Sequence, residues 1–167
     1  MTTDSVLGAS PAAGYAHSAD RGWYSSVPEG CAAKDIADQL LFGSIGSKMK
    51  VILGGGLQDF LPSTPPADDE EKIDNLAPEK MVGIRKDGRN LIREYLKTVE
   101  SSRFVSTRDQ LLKVDPQSDG PLVGLFAGQE LKLTLDIDPT ADANTEPTLE
   151  EMTKAAVQVL SHSPNGE

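Results

Sequence analysis

The segment "CAAKDIADQLLF" at 31–42, followed almost at once by "MKVILGGG" at 49–56, constrains this chain more than any other feature. The first places Ile36, Ala37, Leu40 and Leu41 on one helical face, with Lys34, Asp35, Asp38 and Gln39 turned outward, and Gly43 reads as the stop. The second is a short apolar run, Val51, Ile52 and Leu53, that predicts a buried strand opening into glycines. The theme recurs. Leu91, Ile92, Tyr95 and Leu96 form a helical stripe, "RFVST" follows as a strand, and Thr107 with Gln110 has capping-box spacing ahead of Leu111 and Leu112. "PLVGLFA" is a third strand, and "ELKLTLDI" alternates Leu131, Leu133, Leu135 and Ile137 as a half-buried strand does. Thr148 and Glu151 repeat the capping-box spacing before a last helix with Leu149, Met152, Ala156, Val159 and Leu160 on its apolar face. Strands alternating with helices predict an α/β fold around a sheet that is parallel at least in part.

A length of 167 residues suits one domain able to bury about two thirds of its unfolded surface. The loop at about 62–80, rich in proline and acid, reads as exposed. With 16 Lys+Arg against 26 Asp+Glu the net charge is −10, which disfavours a phosphate backbone, so nucleic acid is not an expected partner. One Cys, Cys31, excludes an internal disulfide, and two His with it make no zinc cluster. No apolar run approaches the roughly 20 residues that span a bilayer, and no signal peptide is visible.

Candidate chemistry concentrates in "SPAAGYAHSADRGWY" at 10–24. Arg21 offers a planar fork suited to two phosphate oxygens if its loop faces a cleft, although an exposed Arg or His is more commonly plain surface. Trp23 and Tyr24 read as anchors against the core. Ser10 is a nucleophile only with a base beside it, and spacing identifies none. Gly54, Gly55 and Gly56 lack the patterns of a P-loop or a dinucleotide fold and read as a tight turn at a strand end. The acidic run at 68–71 matches no calcium loop and reads as solvated. His162 is placed to meet the last helix carbonyls.

Taken together, "TTDSVLGASPAAGYAHSADRGWYS", "CAAKDIADQL", "VILGGGLQDFLP", "DGRNLIREYL", "LVGLFAG" and "EPTLEEMTKAAVQVLSHSPNG" resemble, in order and spacing, the middle of an animal-type alkaline phosphatase. The resemblance implies part of a three-layer sandwich with a largely parallel central sheet, one partial domain over 1–167. Such enzymes hydrolyse phosphate monoesters with two zinc ions and one magnesium, are typically homodimers, and are usually secreted or membrane-anchored. It further implies that Arg21 grips the substrate phosphate and that Ser10 is a magnesium ligand, with Gly8 where the family carries His. Phe126, Glu146 and Asp69 correspond to a calcium site, weakened because Ala127 replaces an acid. Cys31 matches a cysteine that the family pairs with an upstream partner. The serine nucleophile and the zinc ligands match no position of this chain, so the expectation is a fragment inactive by itself. The alternative is a non-catalytic module that kept the fold and binds cations or a basic partner.

Overall fold

The structure, a computed structural model, describes residues 1–9, 11–64, 73–132 and 146–162. Among them four strands form one all-parallel sheet: β1 (Thr2–Ser5), β2 (Val51–Gly55), β3 (Arg103–Val105) and β4 (Leu122–Leu125), in the order β1-β2-β4-β3. The helices are α1 (Pro11–Gly14), α2 (Ile36–Phe42), α3 (Leu91–Thr98), α4 (Arg108–Leu112) and α5 (Leu149–Ser161).

Strand periodicity sorts the core into two layers. Ile52, Phe104, Val123 and Leu125 pack with Ile36, Leu40, Leu91 and Ile92 from α2 and α3. Their chain neighbours Val51, Val105 and Leu122, with Leu53, join Leu111 of α4 and Met152, Ala156 and Val159 of α5. Successive side chains of a strand point to opposite faces, so apolar runs such as these demand cover on both sides. The result is the expected α/β sandwich, helix layers on either side of a parallel sheet.

Both capping boxes form. Thr107 and Gln110 exchange bonds at the start of α4, and Thr148 and Glu151 do so at α5. Gly43 ends α2, its N–H donating to the carbonyl of Gln39 at 2.9 Å. His162 closes α5, its Nδ1 2.8 Å from the carbonyl oxygen of Gln158. One apolar assignment needs correction: Leu149 is more than half exposed rather than on the buried face, because it opens α5 where the apolar stripe rolls off the sheet. The loop before α3 buries Ile73, Leu76 and Met81 against the α2–α3 layer. Most of "ELKLTLDI" lies outside the described residues. No helix among the described residues is long and apolar enough to cross a membrane.

Glu151 has a second role. Its carboxylate receives Nε of Arg108 at 3.0 Å and Nη2 at 2.5 Å, tying α4 to α5. Arg108 above all, aided by the N–H and side chain of Thr148 and opposed by partial burial, holds its pKa below the ordinary 4.5. A depressed folded pKa contributes stability that is present above the unfolded value and is lost as pH falls through the folded one. Glu151→Gln should therefore lower the melting temperature at neutral pH, and the two melting curves should converge as the pH falls through the depressed pKa of Glu151. A gap that persists in acid would show that packing, not charge, is what the substitution removes.

Candidate functional site

The C-terminal ends of parallel strands are where open α/β sheets place ligands, and the described part of the segment at 10–24 lies beside the ends of β1 and β2. β1 ends at Ser5, whose backbone carbonyl and hydroxyl accept from the N–H of Gly8 at 3.2 and 3.3 Å. Tyr15, buried behind α1, donates its hydroxyl to the carbonyl of Val6 at 2.8 Å. β2 ends at Gly55, and Gly56 turns the chain with φ +106°, the glycine turn expected at this strand end.

The segment after β4 is pinned across these ends. The N–H groups of Gly56 and Leu57 both donate to the carbonyl of Ala127 at 3.1 and 3.0 Å, and that of Gln58 to Gly128 at 3.0 Å. The Leu131 N–H donates to the carbonyl of Asp4 at 2.9 Å. Glu130 is thereby carried on a backbone fixed on both sides.

Arg21 opens a single 3-10 turn, Arg21–Trp23, capped by Asp20, whose Oδ1 accepts from the N–H of Gly22 at 2.8 Å. Trp23 and Tyr24 pack against the core as anchors, and His17 stacks on Trp23 with ring centroids 5.2 Å apart. The Ala37 N–H donates to the Tyr24 carbonyl at 3.0 Å, fastening the turn to α2. The Arg21 guanidinium is left in solvent, 79 % exposed, with Nη1 3.6 Å from Oε1 of Glu130, itself 57 % exposed. Burial raises the pKa of Tyr24, and Asp59, Glu130 and Asp4 add to the rise while Arg21 opposes it. One arginine among carboxylates thus sets the local field.

Behind the turn lies a network the helical pattern did not announce. Asp35 and Asp38 are buried, not turned outward. Both are held by arginines from the loop that leads to α3. Asp35 takes a fork from Arg85, which is fully buried. Asp38 pairs with Arg89, which also reaches Glu94 at 2.5 Å. Arg85 further donates to the carbonyl of Asp59 at 3.1 Å. The carboxyl of Asp59 is hydrogen-bonded by Ser25, and its pKa is pushed up by burial. The only sequence signal for this was an Arg–x–Asp–x–Arg spacing, "RKDGR" at 85–89.

Ser10 and Asp69 lie outside the described residues. Phe126 is buried, and it lines one cavity of about 330 Å³ with Leu57, Gln58, Lys80, Gly128 and Glu146. Glu146 Oε2 accepts from the N–H of Lys132 at 2.9 Å. A calcium ion takes six to eight oxygens, whereas these described residues bring one carboxylate and a lysine to the same space. Among the described residues no three His, Cys, Asp or Glu side chains gather as a metal site, so they do not by themselves fit a zinc or magnesium centre. Cys31 is a half-buried free thiol among the described residues.

An all-parallel sheet with helix layers on both faces and an exposed arginine near its strand ends defines an α/β sandwich domain. A model of the alkaline phosphatase family matches residues 1–167, and the chain belongs to that family. It is 38 % identical to a membrane-bound alkaline phosphatase of Bombyx mori over 99 % of this chain and 30 % of the relative. It is 36 % identical to the tissue-nonspecific alkaline phosphatase isozyme of Felis catus, over 99 % and 31 %. An alkaline phosphatase of Gadus morhua is 35 % identical, over 99 % and 34 %. The chain spans about a third of the length of these relatives.

Proposed function

We propose that this chain forms part of a zinc- and magnesium-dependent phosphomonoesterase, that Arg21 is its phosphate-holding residue, and that the 167-residue chain by itself does not turn substrate over. The observation that carries the reading is the placement of Arg21. It stands on a capped turn at the C-terminal ends of β1 and β2, its fork in solvent and its ion pair with Glu130 a loose one. Ser10, two residues after Gly8 in the sequence, is assigned to magnesium. Phe126, Glu146 and Asp69 are assigned to a weak calcium site, a reading supported by Phe126 and Glu146 sharing one cavity.

In this reading Arg21 donates two N–H groups to two oxygens of the phosphate and neutralises part of its charge. The Asp20 cap and the Ala37 N–H fix where the Arg21 side chain begins.

A charge-assisted bond contributes about 1.5–3 kcal/mol, so Arg21 alone should hold inorganic phosphate at roughly millimolar affinity or weaker. Phosphorus NMR titration of the chain should show such binding, and Arg21→Ala should weaken it at least about fivefold. With zinc and magnesium added, p-nitrophenyl phosphate should not be hydrolysed faster than by the Arg21→Ala control. Equal phosphate binding by both chains would refute the role of Arg21. Metal-dependent turnover abolished by that substitution would refute the claim of inactivity.

A further inference from the structure

We infer that Glu130 is a built-in competitor for the Arg21 guanidinium, a carboxylate held where an incoming phosphate must seat, so that it sets the anion affinity of this site. The inference rests on the reading of Arg21 given above and deepens it. The contact is not a chance meeting of two long side chains on a mobile surface. On one side, residues 127–131 are bonded to the ends of β2 and β1 through Gly56, Leu57, Gln58 and Asp4. The carbonyl of Gln129 lies so close to Gly55 that a side chain there would collide with it at 2.1 Å. On the other side, Arg21 leads a capped turn fastened to α2. Two fixed backbones therefore aim opposite charges at one another.

The separation has its own meaning. At 3.6 Å the pair is an ion pair without the 2.7–2.9 Å bond of a tight charge-assisted contact. The N–H donors of Arg21 are not consumed, yet a phosphate that takes them brings its negative charge within a few ångströms of Glu130. Like charges at about 6 Å in a water-like dielectric repel by an amount that corresponds to several-fold in binding. A neutral isostere at 130 removes that repulsion and leaves the pinned backbone, made of main-chain bonds, untouched.

Inorganic phosphate is titrated at low ionic strength into the full chain and into Glu130→Gln, Glu130→Ala, Arg21→Ala and Glu150→Gln. Glu150 lies on the exposed face of α5 and pairs with Lys154, so its replacement changes net charge equally without removing the Arg21–Glu130 pair. Both Glu130 variants should bind phosphate about fivefold more tightly, with the gain shrinking as salt shortens the screening length to about 8 Å at 0.15 M. Glu150→Gln should match the parent chain. If the Glu130 variants bind no better, or if Glu150→Gln gains as much, the competitor role is overturned while a loss in Arg21→Ala leaves the phosphate reading standing. If Arg21→Ala binds as the parent does, both fall. Coincident thermal melts for all five chains establish that the differences arise in a folded protein.

Discussion

Arg85→Ala should lower the stability of this chain by about 3–5 kcal/mol, the penalty for stranding a buried charge by removing its partner. The guanidinium is fully buried, and each of its N–H groups has an acceptor. Nε donates to Oδ1 of Asp87 at 3.1 Å. Nη1 donates to Oδ1 of Asp35 at 3.2 Å and to the carbonyl of Asp59 at 3.1 Å. Nη2 donates to Oδ2 of Asp35 at 2.8 Å and to Oδ2 of Asp87 at 2.5 Å. A guanidinium has five N–H donors, and all are used. Burial works to lower the pKa of Arg85, but hydrogen bonds and charge from Asp35 and Asp87 outweigh it, so the group stays charged.

Removing it isolates Asp35, only 8 % exposed, while that residue must still cap α2 through the N–H of Asp38 at 2.9 Å. Lysine restores the charge without the fork, so Arg85→Lys should recover less than half of the loss. Urea unfolding measures both. Arg85→Met combined with Asp35→Asn removes donor and charge together and should be milder than Arg85→Ala, since a buried pair is costly chiefly when one half is left. A loss below about 1 kcal/mol for Arg85→Ala would mean that water reaches Asp35 and replaces the arginine.

This network also marks the boundary of what a linear reading recovers. The helices were legible because their signals are local: the capping boxes at Thr107 and Thr148, the stripes of α2 and α3, the stop at Gly43. β2 and β4 were legible as apolar runs, since strands covered on both faces carry no polar alternation. β1 was not. "TTDS" has no apolar run, and it becomes a strand only because Thr2 and Ser5 find Leu53 and Gly55 as parallel partners about fifty residues away. Asp35 and Asp38 occupy the polar side of a helical wheel, and a wheel cannot show that Arg85 and Arg89 close over that side. The role proposed for Arg21 rests on resemblance, because nothing in its own spacing separates a phosphate ligand from a surface residue. Glu130 left no trace at all, as its meaning arises when the segment after β4 is laid across the end of β1.

The largest effect at the site should come from adding one carbon. A methyl group at Gly55 would stand 2.1 Å from the carbonyl oxygen of Gln129 and 2.8 Å from that of Asp4, both main-chain atoms with no flexible end to swing aside. Overpacking of this kind costs about 1–3 kcal/mol, and losing the Leu131 to Asp4 hydrogen bond adds about 1 kcal/mol. Gly55→Ala should thus destabilise by about 2–4 kcal/mol in urea unfolding. Gly14→Ala, where no atom lies within 4 Å of the added carbon, should fall within about 0.5 kcal/mol of the parent. The choice of glycine at 55 then follows from packing and not from a phosphate cradle: it admits the strand-end backbone that carries Glu130. The same substitution tests that link. If the segment at 129–131 is pushed off β1, Glu130 leaves Arg21, and in a Gly55→Ala background Glu130→Gln should no longer tighten phosphate binding. A gain undiminished in that background would show that the Arg21–Glu130 pair does not depend on the close approach at Gly55.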